Sequence, residues 1–402
     1  MGAPSLDHVD SLVHARTVSA VDGTLWSNAM LRLGAAGDRL AAAMRQRGVD
    51  VDADVYVTML GALMDTYLNR VSGYAGSPSF VPCCGYFQHL GSPNPDTVYR
   101  RAPVDDTATY RLTGERGTTW QVTIMPFTEM MQGFTPFDLS DVAREPDGRF
   151  DVLISRERPE RYEGDWWPLE PGTTSLWIRS VSDRWGEERD PRIAITRLDA
   201  GARTRPDGEA TRTQLAALGI MVERIVEYGM RHVDELVEQG YVNAMKTVDY
   251  GASGAMPLQH YHECVFQLAD DEALLVEAHL PAGADYFSWS LTDRMLVTLD
   301  WTHAQTSLNR SQGVVDDDGV LRVVVSATDP GIANWMDTTG YQTGVVQCRE
   351  IGSVEVPELT ARVVLLSELD ERLPADTARV TSEERAAALL ARDTGFQLRS
   401  LW

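Results

Sequence analysis

Two textures alternate along the chain. From residue 24 to about 70, apolar positions recur every three to four residues, first in WSNAMLRLGAAGDRLAAAMRQRG and then, after DVDAD, in ADVYVTMLGALMDTYLNRV. That spacing predicts two amphipathic helices, the first ending at Gly48. Ser72 to Pro95 is rich in Gly, Pro and Ser and predicts a long irregular segment, a kind that often carries function. From Thr97 to Asp199 the runs are short, β-branched and aromatic, as in TATYRLTG, TTWQVTIMPF, RFDVLIS and TSLWIRSV, with Gly, Pro and Asp between them. Helical spacing returns in TRTQLAALGIMVERIVEYGMRHVDELVEQ. β texture resumes from His260 to Leu366, in HYHECVFQL, EALLVEAHLP, YFSWSLTD, LRVVVSA, QTGVVQCRE and ARVVLL. Thr381-Ser382-Glu383-Glu384 is a capping box that opens a last helix.

The two β regions share a pattern. Asp147-Gly148, Ser155, Pro159, Trp166-Trp167 and Arg179 in the first answer to Asp318-Gly319, Ser326, Pro330, Trp335 and Arg349 in the second. Gly148 to Arg179 is 31 positions and Gly319 to Arg349 is 30, and Trp120 and Trp289 lie upstream in corresponding strands. Asp-Gly alone is a common hairpin turn, but a run of matches in register predicts a duplicated antiparallel sandwich of about a hundred residues. Alternation in Phe150, Val152 and Ile154 is only partial, which predicts paired sheets with one face well buried.

Composition narrows the classes. With 59 acidic and 36 basic residues the formal charge is −23, so nucleic acid and anionic membrane surfaces are repelled. No apolar run approaches the roughly 18 residues of a membrane span, and the N-terminus lacks the basic and apolar regions of a secretory signal. Met1-Gly2 opens a myristoylation pattern that Leu6 breaks. These features predict a cytoplasmic protein, with the partner a small molecule and homo-oligomer formation open. Cys83, Cys84, Cys264 and Cys348 follow no zinc or disulfide spacing. Cys83-Cys84 reads as a tight turn and the other two as core.

At GSPNPDTVY (91–99), SLNRSQ (307–312) and above all DPGIANWMDTTG (329–340), the chain resembles the bacterial domain of unknown function 1214, which often follows a domain of unknown function 1254. The clearest resemblance covers Glu263 to Glu350; a weaker one, similar to domain 1254, covers Gly91 to Arg197. The resemblance implies a jelly-roll-like architecture in each half and brings no mechanism. The expected fold is therefore α+β, mainly β: two jelly-roll-like antiparallel sandwiches related by duplication, with N-terminal helices and a long connecting helix. The expected boundaries are 1–90 helical, 91–205 first sandwich, 206–255 connecting helix and loop, 256–370 second sandwich (the one resembling domain 1214) and 371–402 tail.

Four constellations could carry chemistry. Asn94, Asp96 and Tyr99 sit on a segment stiffened by Pro93 and Pro95, either capping turns or facing a cleft. TLDWTHAQTSLNRSQ gathers Asp300, His303, Ser307, Asn309 and Gln312; Asp300 and His303 suit proton transfer, whereas a Ser307-His303-Asp300 triad lacks its elbow. Asn334, Trp335, Asp337 and Tyr341 form either a structural loop, with Trp335 plugging the sandwich core, or the wall of a binding site. On a strand, His260, His262 and Cys264 would share a face as the lesser, metal-binding candidate, with Glu277 and His279 nearby. Asp316-Asp317-Asp318-Gly319 is an acidic turn rather than a calcium loop. With no GxGxxG or P-loop, no cofactor is expected.

These readings predict a cofactor-independent enzyme of small-molecule metabolism, a hydrolase, lyase, isomerase or cyclase acting on an apolar or polyhydroxylated substrate. Asp96, Asp300, His303 and Asp337 would be its catalytic groups. Asn94, Tyr99, Asn309, Gln312, Asn334, Trp335 and Tyr341 would bind substrate. The alternatives are a non-catalytic small-molecule-binding or assembly protein and a metal-assisted hydrolase. An enzyme should bury a carboxylate or histidine of shifted pKa in the largest cleft, and a binding module should line it with satisfied or apolar groups. If Asp96, Asp300, His303 and Asp337 are scattered or sealed in hairpins, the catalytic assignment to them fails.

Overall fold

The computed structural model describes residues 24–47, 53–85, 88–129, 131–199, 208–248, 250, 259–280 and 284–400, so the N-terminal signal and myristoylation readings lie outside it. The first half holds β1 (Val81–Pro82), β2 (Thr97–Pro103), β3 (Tyr110–Glu115), β4 (Gln121–Thr128), β5 (Phe137–Asp138), β6 (Arg149–Ser155), β7 (Asp165–Pro168), β8 (Thr173–Val181) and β9 (Arg192–Arg197). The second holds β10 (Lys246–Val248), β11 (Gln259–Gln267), β12 (Glu272–His279), β13 (Tyr286–Thr292), β14 (Ser307–Asn309), β15 (Val320–Ser326), β16 (Trp335–Asp337), β17 (Thr343–Ile351) and β18 (Glu358–Leu365).

The sheets run β1-β2-β8-β4-β5 and β7-β6-β3-β9 in the first half, β10-β11-β17-β13-β14 and β16-β15-β12-β18 in the second. The orders are the same once the second set is renumbered from its first strand. Both halves also place one parallel pair, β6–β7 and β15–β16, in an otherwise antiparallel sheet. The duplication read from the Asp-Gly, Ser, Trp and Arg spacing is thus present in three dimensions. Gly148 and Gly319 take the same left-handed φ of 84° and 81°, which glycine adopts without steric cost.

Each half closes on its own core. Tyr110, Leu112, Ile124, Ile154, Leu176 and Ile178 fill the first sandwich; Phe266, Leu274, Val276, Trp289, Val323 and Val346 fill the second. All seven residues of β15 are buried because both of its faces are covered. Val323 and Val325 enter the core, while Val324 packs outward with Ile332, Trp335, Val364, Leu369 and Leu373. This second cover explains why alternation is weak in the sequence. Trp335 plugs that outer cluster rather than the sandwich core, and Met336 takes the inner position. Trp120 and Trp289 are likewise not equivalent. Trp289 lies within β13 in the core, whereas Trp120 precedes β4 and stacks on Tyr286 of the other sandwich, 4.8 Å between ring centres.

The helices are α1 (Leu25–Gln46), α2 (Ala53–Thr66) running into a π turn at Tyr67–Val71, α3 (Gly208–Glu238), α4 (Leu369–Arg372) and α5 (Ser382–Gln397). α1, α2 and α3 share a small core of Leu40, Met44, Val55, Val222, Val226 and Met230. The far end of α3 lays Val233 and Leu236 on Val265 and Val345, the outer face of the second sandwich. Thr381 caps α5 through the expected capping box, and the helix runs 16 residues. Among the described residues no helix is long and apolar enough to cross a membrane.

Candidate functional site

On β11, β17, β13 and β14 every second residue faces the core, so the residues between them form an outer face. Strand register lines Glu263, Gln347, Ser290 and Ser307 in one row and Tyr261, Arg349, Ser288 and Asn309 in the next. An outer sheet face this polar must be covered by groups that answer it. α3 covers one end and the irregular segment around Ser92 to Asp96 covers the middle. In the first sandwich the row equivalent to Tyr261-Arg349-Ser288-Asn309 is Tyr99-Arg179-Thr123-Asp138.

Glu263 is the deepest charge on this face, 0% exposed. His232 Nε2, from α3, lies 2.7 Å from its Oε2, and the Tyr250 hydroxyl donates to Oε1 at 2.8 Å. Gln347 Nε2 donates to the same carboxylate. Burial works to raise the Glu263 pKa, but the bonds from His232, Gln347 and Tyr250 outweigh it and hold the group below the usual carboxylate range. An ionised carboxylate only accepts, so His232 carries its proton on Nε2. Its Nδ1 bonds to no described residue, and the side chain keeps 13% of its surface open. Burial, then the charge of Glu263, pushes the Tyr250 phenol well up, so it stays a donor.

Asp96 forms a second node. Its Oδ1 accepts from Asn309 Nδ2 at 2.8 Å and from Trp185 Nε1 at 2.9 Å, and its Oδ2 from the Tyr286 hydroxyl at 2.5 Å. Asn94 bonds Tyr286 and Ser288 through its side chain, and its backbone N–H donates to the Tyr99 hydroxyl at 3.1 Å. Gln312 Oε1 accepts from Asn309 N and from Arg392. Both Asp96 oxygens are thus committed to protein donors. Burial pushes this carboxyl up to about 6, against the pull of Tyr286, Asn309, Arg399 and Trp185. Five of the eight residues read from the two polar segments, Asn94, Asp96, Tyr99, Asn309 and Gln312, therefore meet at the seam between the sandwiches.

Three buried arginines spaced seven apart, Arg385, Arg392 and Arg399, clamp the tail across that seam. Arg385 pairs with Asp329 and bonds the Ile332 carbonyl; Arg392 bonds the carbonyls of Trp301 and Ser307. Arg399 holds Asp190 through two bonds of 2.8 Å and reaches the Asp96 carbonyl at 3.0 Å. The capping box predicts the helix but not the clamp; the spacing of seven was the available signal.

The remaining expected residues lie elsewhere, so the three acids Asp96, Asp300 and Asp337 and His303 do not form one catalytic group. Asp300 and His303 sit in a turn, not on a strand, because Asp300 Oδ1 accepts from the backbone N–H of Thr302 and His303. The pair meets at 2.7 Å with side chains 53% and 70% exposed. Burial works to raise Asp300, and the bonds from Thr302 and His303 override it to give about 2. The Ser307 hydroxyl accepts from Arg392. Asp337 turns back to accept from Thr339 N. Asn334 is tied to the backbone of Val314 and Arg322, as its structural reading predicts. Trp335 Nε1 is held by Ser326, and Tyr341 reaches Asp54 at 3.2 Å. Asp316 and Asp318 pair with Arg322 in the acidic turn.

His260, His262 and Cys264 do share a face, but it is the inner one. Cys264 lies in the apolar core, where burial pushes its thiol up to about 12, and burial pushes His262 down to about 4. His260 bonds the Ser353 carbonyl and His262 bonds Thr247. Among the described residues, no group of three or more His, Cys, Asp and Glu is placed to hold a metal. The functional groups that sequence reasoning missed are His232, Tyr250 and Glu263. Glu263 pointed opposite to its histidine neighbours, and a lone acid inside HYHECVFQ was the signal.

Comparison with curated proteins finds no match. Among solved structures the chain is similar to an uncharacterized protein from Burkholderia cenocepacia, at 25% identity and a TM-score of 0.78 over 86% of this chain and 98% of that one. A protein from Vibrio parahaemolyticus is 10% identical, with a TM-score of 0.44, over 76% of this chain and 98% of that one. A family match falls on the first sandwich, where the sequence offered only the weaker resemblance, rather than on the DPGIANWMDTTG loop of the second. Residues 98–182, from β2 to the end of β8, match the family of proteins of unknown function DUF1214.

Proposed function

We propose that the chain is a cofactor-independent, cytoplasmic enzyme of small-molecule metabolism that works by acid–base catalysis, with His232 as the base. The observation that carries this reading is the 2.7 Å contact between His232 Nε2 and a fully buried, ionised Glu263. A carboxylate on one ring nitrogen fixes the tautomer, leaves a lone pair on the other and stabilises the imidazolium once a proton is taken. Tyr250, which donates to Glu263 at 2.8 Å and lies 3.0 Å from His232 Nε2, stays neutral and holds the pair in place. This set suits hydrolysis, elimination, isomerisation or cyclisation, all of which move a proton.

A second reading, a non-catalytic small-molecule-binding protein, has its own support. An open groove of about 430 Å³ between Trp185 and α5 is lined by Ala387, Leu390, Ala391, Thr394 and Leu398 and contains no acid or base. The committed donors around Asp96 also suit a rigid joint better than a reacting group.

One experiment separates them. Small hydroxylated, carbonyl and aromatic compounds that raise the melting temperature are incubated with the protein in D2O and followed by proton NMR. The enzyme reading expects exchange or conversion that wild type catalyses and His232→Gln and Glu263→Gln lose by about a hundredfold or more. Ligands that bind without conversion, or conversion indifferent to both substitutions, would sink it.

A further inference from the structure

Arg349 stands beside the proposed acid–base pair and differs from the arginines that clamp a carboxylate. Arg399, Arg385 and Arg322 each hold a carboxylate. Arg349 is only 5% exposed, yet among the described residues no carboxylate lies within ion-pair distance of it. Its bonds go to neutral groups: Ser290 Oγ at 3.2 Å, and the carbonyl and hydroxyl oxygens of Ser92. The ring of Tyr261 lies under it at 5.5 Å. A buried guanidinium is retained where it meets an anion. Arg392 and Arg116 also pair with no described carboxylate, but their donors are spent on the carbonyls of Trp301, Ser307, Thr119 and Trp120 and on Gln312. Arg100 bonds the Pro191 carbonyl under the charge of Asp190.

Two further observations point at a ligand. Ser92, which cradles Arg349, has a φ of 53°, a left-handed conformation that costs a non-glycine residue energy and clusters at binding sites. Arg179, the equivalent of Arg349 in the first sandwich, lies over Phe127 at 5.8 Å. Arg179 is the cross-strand partner of Tyr99, and the charges of both arginines act on the Tyr99 phenol. Glu263, ionised on the neighbouring row, disfavours a doubly charged guest. Tyr261, Phe127 and Met125 favour a guest with an apolar body.

We propose that Arg349 binds the carboxylate of a small monocarboxylic acid with an apolar body, holding it beside His232. The catalytic half of this proposal rests on the acid–base reading above; the binding half does not.

The test is isothermal titration at constant ionic strength with benzoate and butyrate, their neutral amides, and inorganic phosphate. Wild type should bind the two carboxylates and not the amides, with phosphate weaker. Arg349→Met should weaken carboxylate binding by about tenfold or more, because a charge-assisted bond is lost. Arg349→Lys keeps the charge without the fork, should fall between, and replaces the Met variant if that fails to fold. His232→Gln should bind as wild type does. Equal binding of acid and amide by wild type overturns the site, as does undiminished benzoate binding by Arg349→Met. If the carboxylates bind through Arg349 while His232→Gln leaves D2O exchange unchanged, the acid–base reading fails and the anion site stands. Turnover of neutral compounds that depends on His232, without carboxylate binding, overturns the anion site alone.

Discussion

Trp335 Nε1 donates to the Ser326 hydroxyl at 3.0 Å, and a bond of the same length joins Trp166 to Ser155 at the equivalent place in the first sandwich. Each serine passes its own proton on to a carbonyl two residues later, Thr328 in one copy and Glu157 in the other. The pair therefore pins the parallel strand β16 or β7 onto its neighbour and fixes the loop beyond. Trp335 is 6% exposed and carries Arg385 over its ring at 5.2 Å. Trp335→Phe should cost about 1–3 kcal/mol in equilibrium urea unfolding, since a buried bond is lost and a void is left. Trp166→Phe should cost less, because that ring is only half-buried.

The clamp at the tail should be the more sensitive point. The side chains of Arg399 and Asp190 are each 1% exposed, and Asp190 also accepts from the Ser180 hydroxyl at 2.8 Å. Removing one partner of a buried pair strands the other, so Arg399→Met should destabilise by about 3–5 kcal/mol at pH 7. Burial works to raise Asp190, but the bonds from Arg399 prevail and lower it below its ordinary 3.8. A depressed carboxyl contributes stability above its unfolded pKa and loses it as pH falls through the folded value. The gap between wild type and Arg399→Met should therefore narrow below about pH 4. A gap of the same size at pH 3 and pH 7 would contradict the pairing.

The sandwiches were legible because their signals are local. β-branched runs, Asp-Gly turns and the Ser and Trp that follow them lie within a few dozen residues, and the fold repeats them. The seam was legible in part: Asn94, Asp96, Asn309 and Gln312 were singled out as polar groups on irregular segments, and tertiary packing joins Asp96 to Asn309 across 213 positions. What stayed hidden depends on direction. Glu263 lies between His262 and Cys264, and a strand turns successive side chains to opposite faces. The reading that gathered His260, His262 and Cys264 thus looked away from the acid that meets His232. Asp300 and His303 failed for another reason. An Asp followed two residues later by Thr folds onto its own backbone amides and makes an exposed turn, away from any cleft.

Asp96 should leave a signature in the pH dependence of stability, with the opposite sign to Asp190. Its folded pKa, about 6, stands above the ordinary 3.8. The folded state therefore binds this proton more tightly than the unfolded chain. The stability so gained is full below the unfolded pKa and is lost as pH rises through the folded one. Relative to Asp96→Asn, wild type should lose about 2–4 kcal/mol between pH 4 and about pH 7. Chemical denaturation of both proteins across that range measures it, with the carboxyl carbon shift of Asp96 reporting a midpoint near 6. A difference that grows in favour of wild type toward neutral pH would reverse the assignment.

The last prediction concerns how α3 is seated. Gly229 faces the turn before Val297 so closely that an added methyl group would run into the Met295 carbonyl. That turn is itself rigid, since Asp293 Oδ1 accepts from both Met295 N and Val297 N at 2.7 and 3.0 Å. Backbone cannot yield there as a flexible side chain would, so the helix must move. Alanine improves intrinsic helix propensity by about 1 kcal/mol over glycine, and the steric conflict should exceed this gain. Gly229→Ala should therefore lower stability by a net of about 1–3 kcal/mol. Because His232 follows three residues later on the same helix, the shift should also lengthen its contact with Glu263. The histidine Nε2–H resonance, held downfield by a short charge-assisted bond, should move upfield and exchange faster with solvent. An unshifted resonance in a destabilised Gly229→Ala protein would mean that the helix adjusts locally and that His232 is positioned by Tyr250 and Glu263 alone.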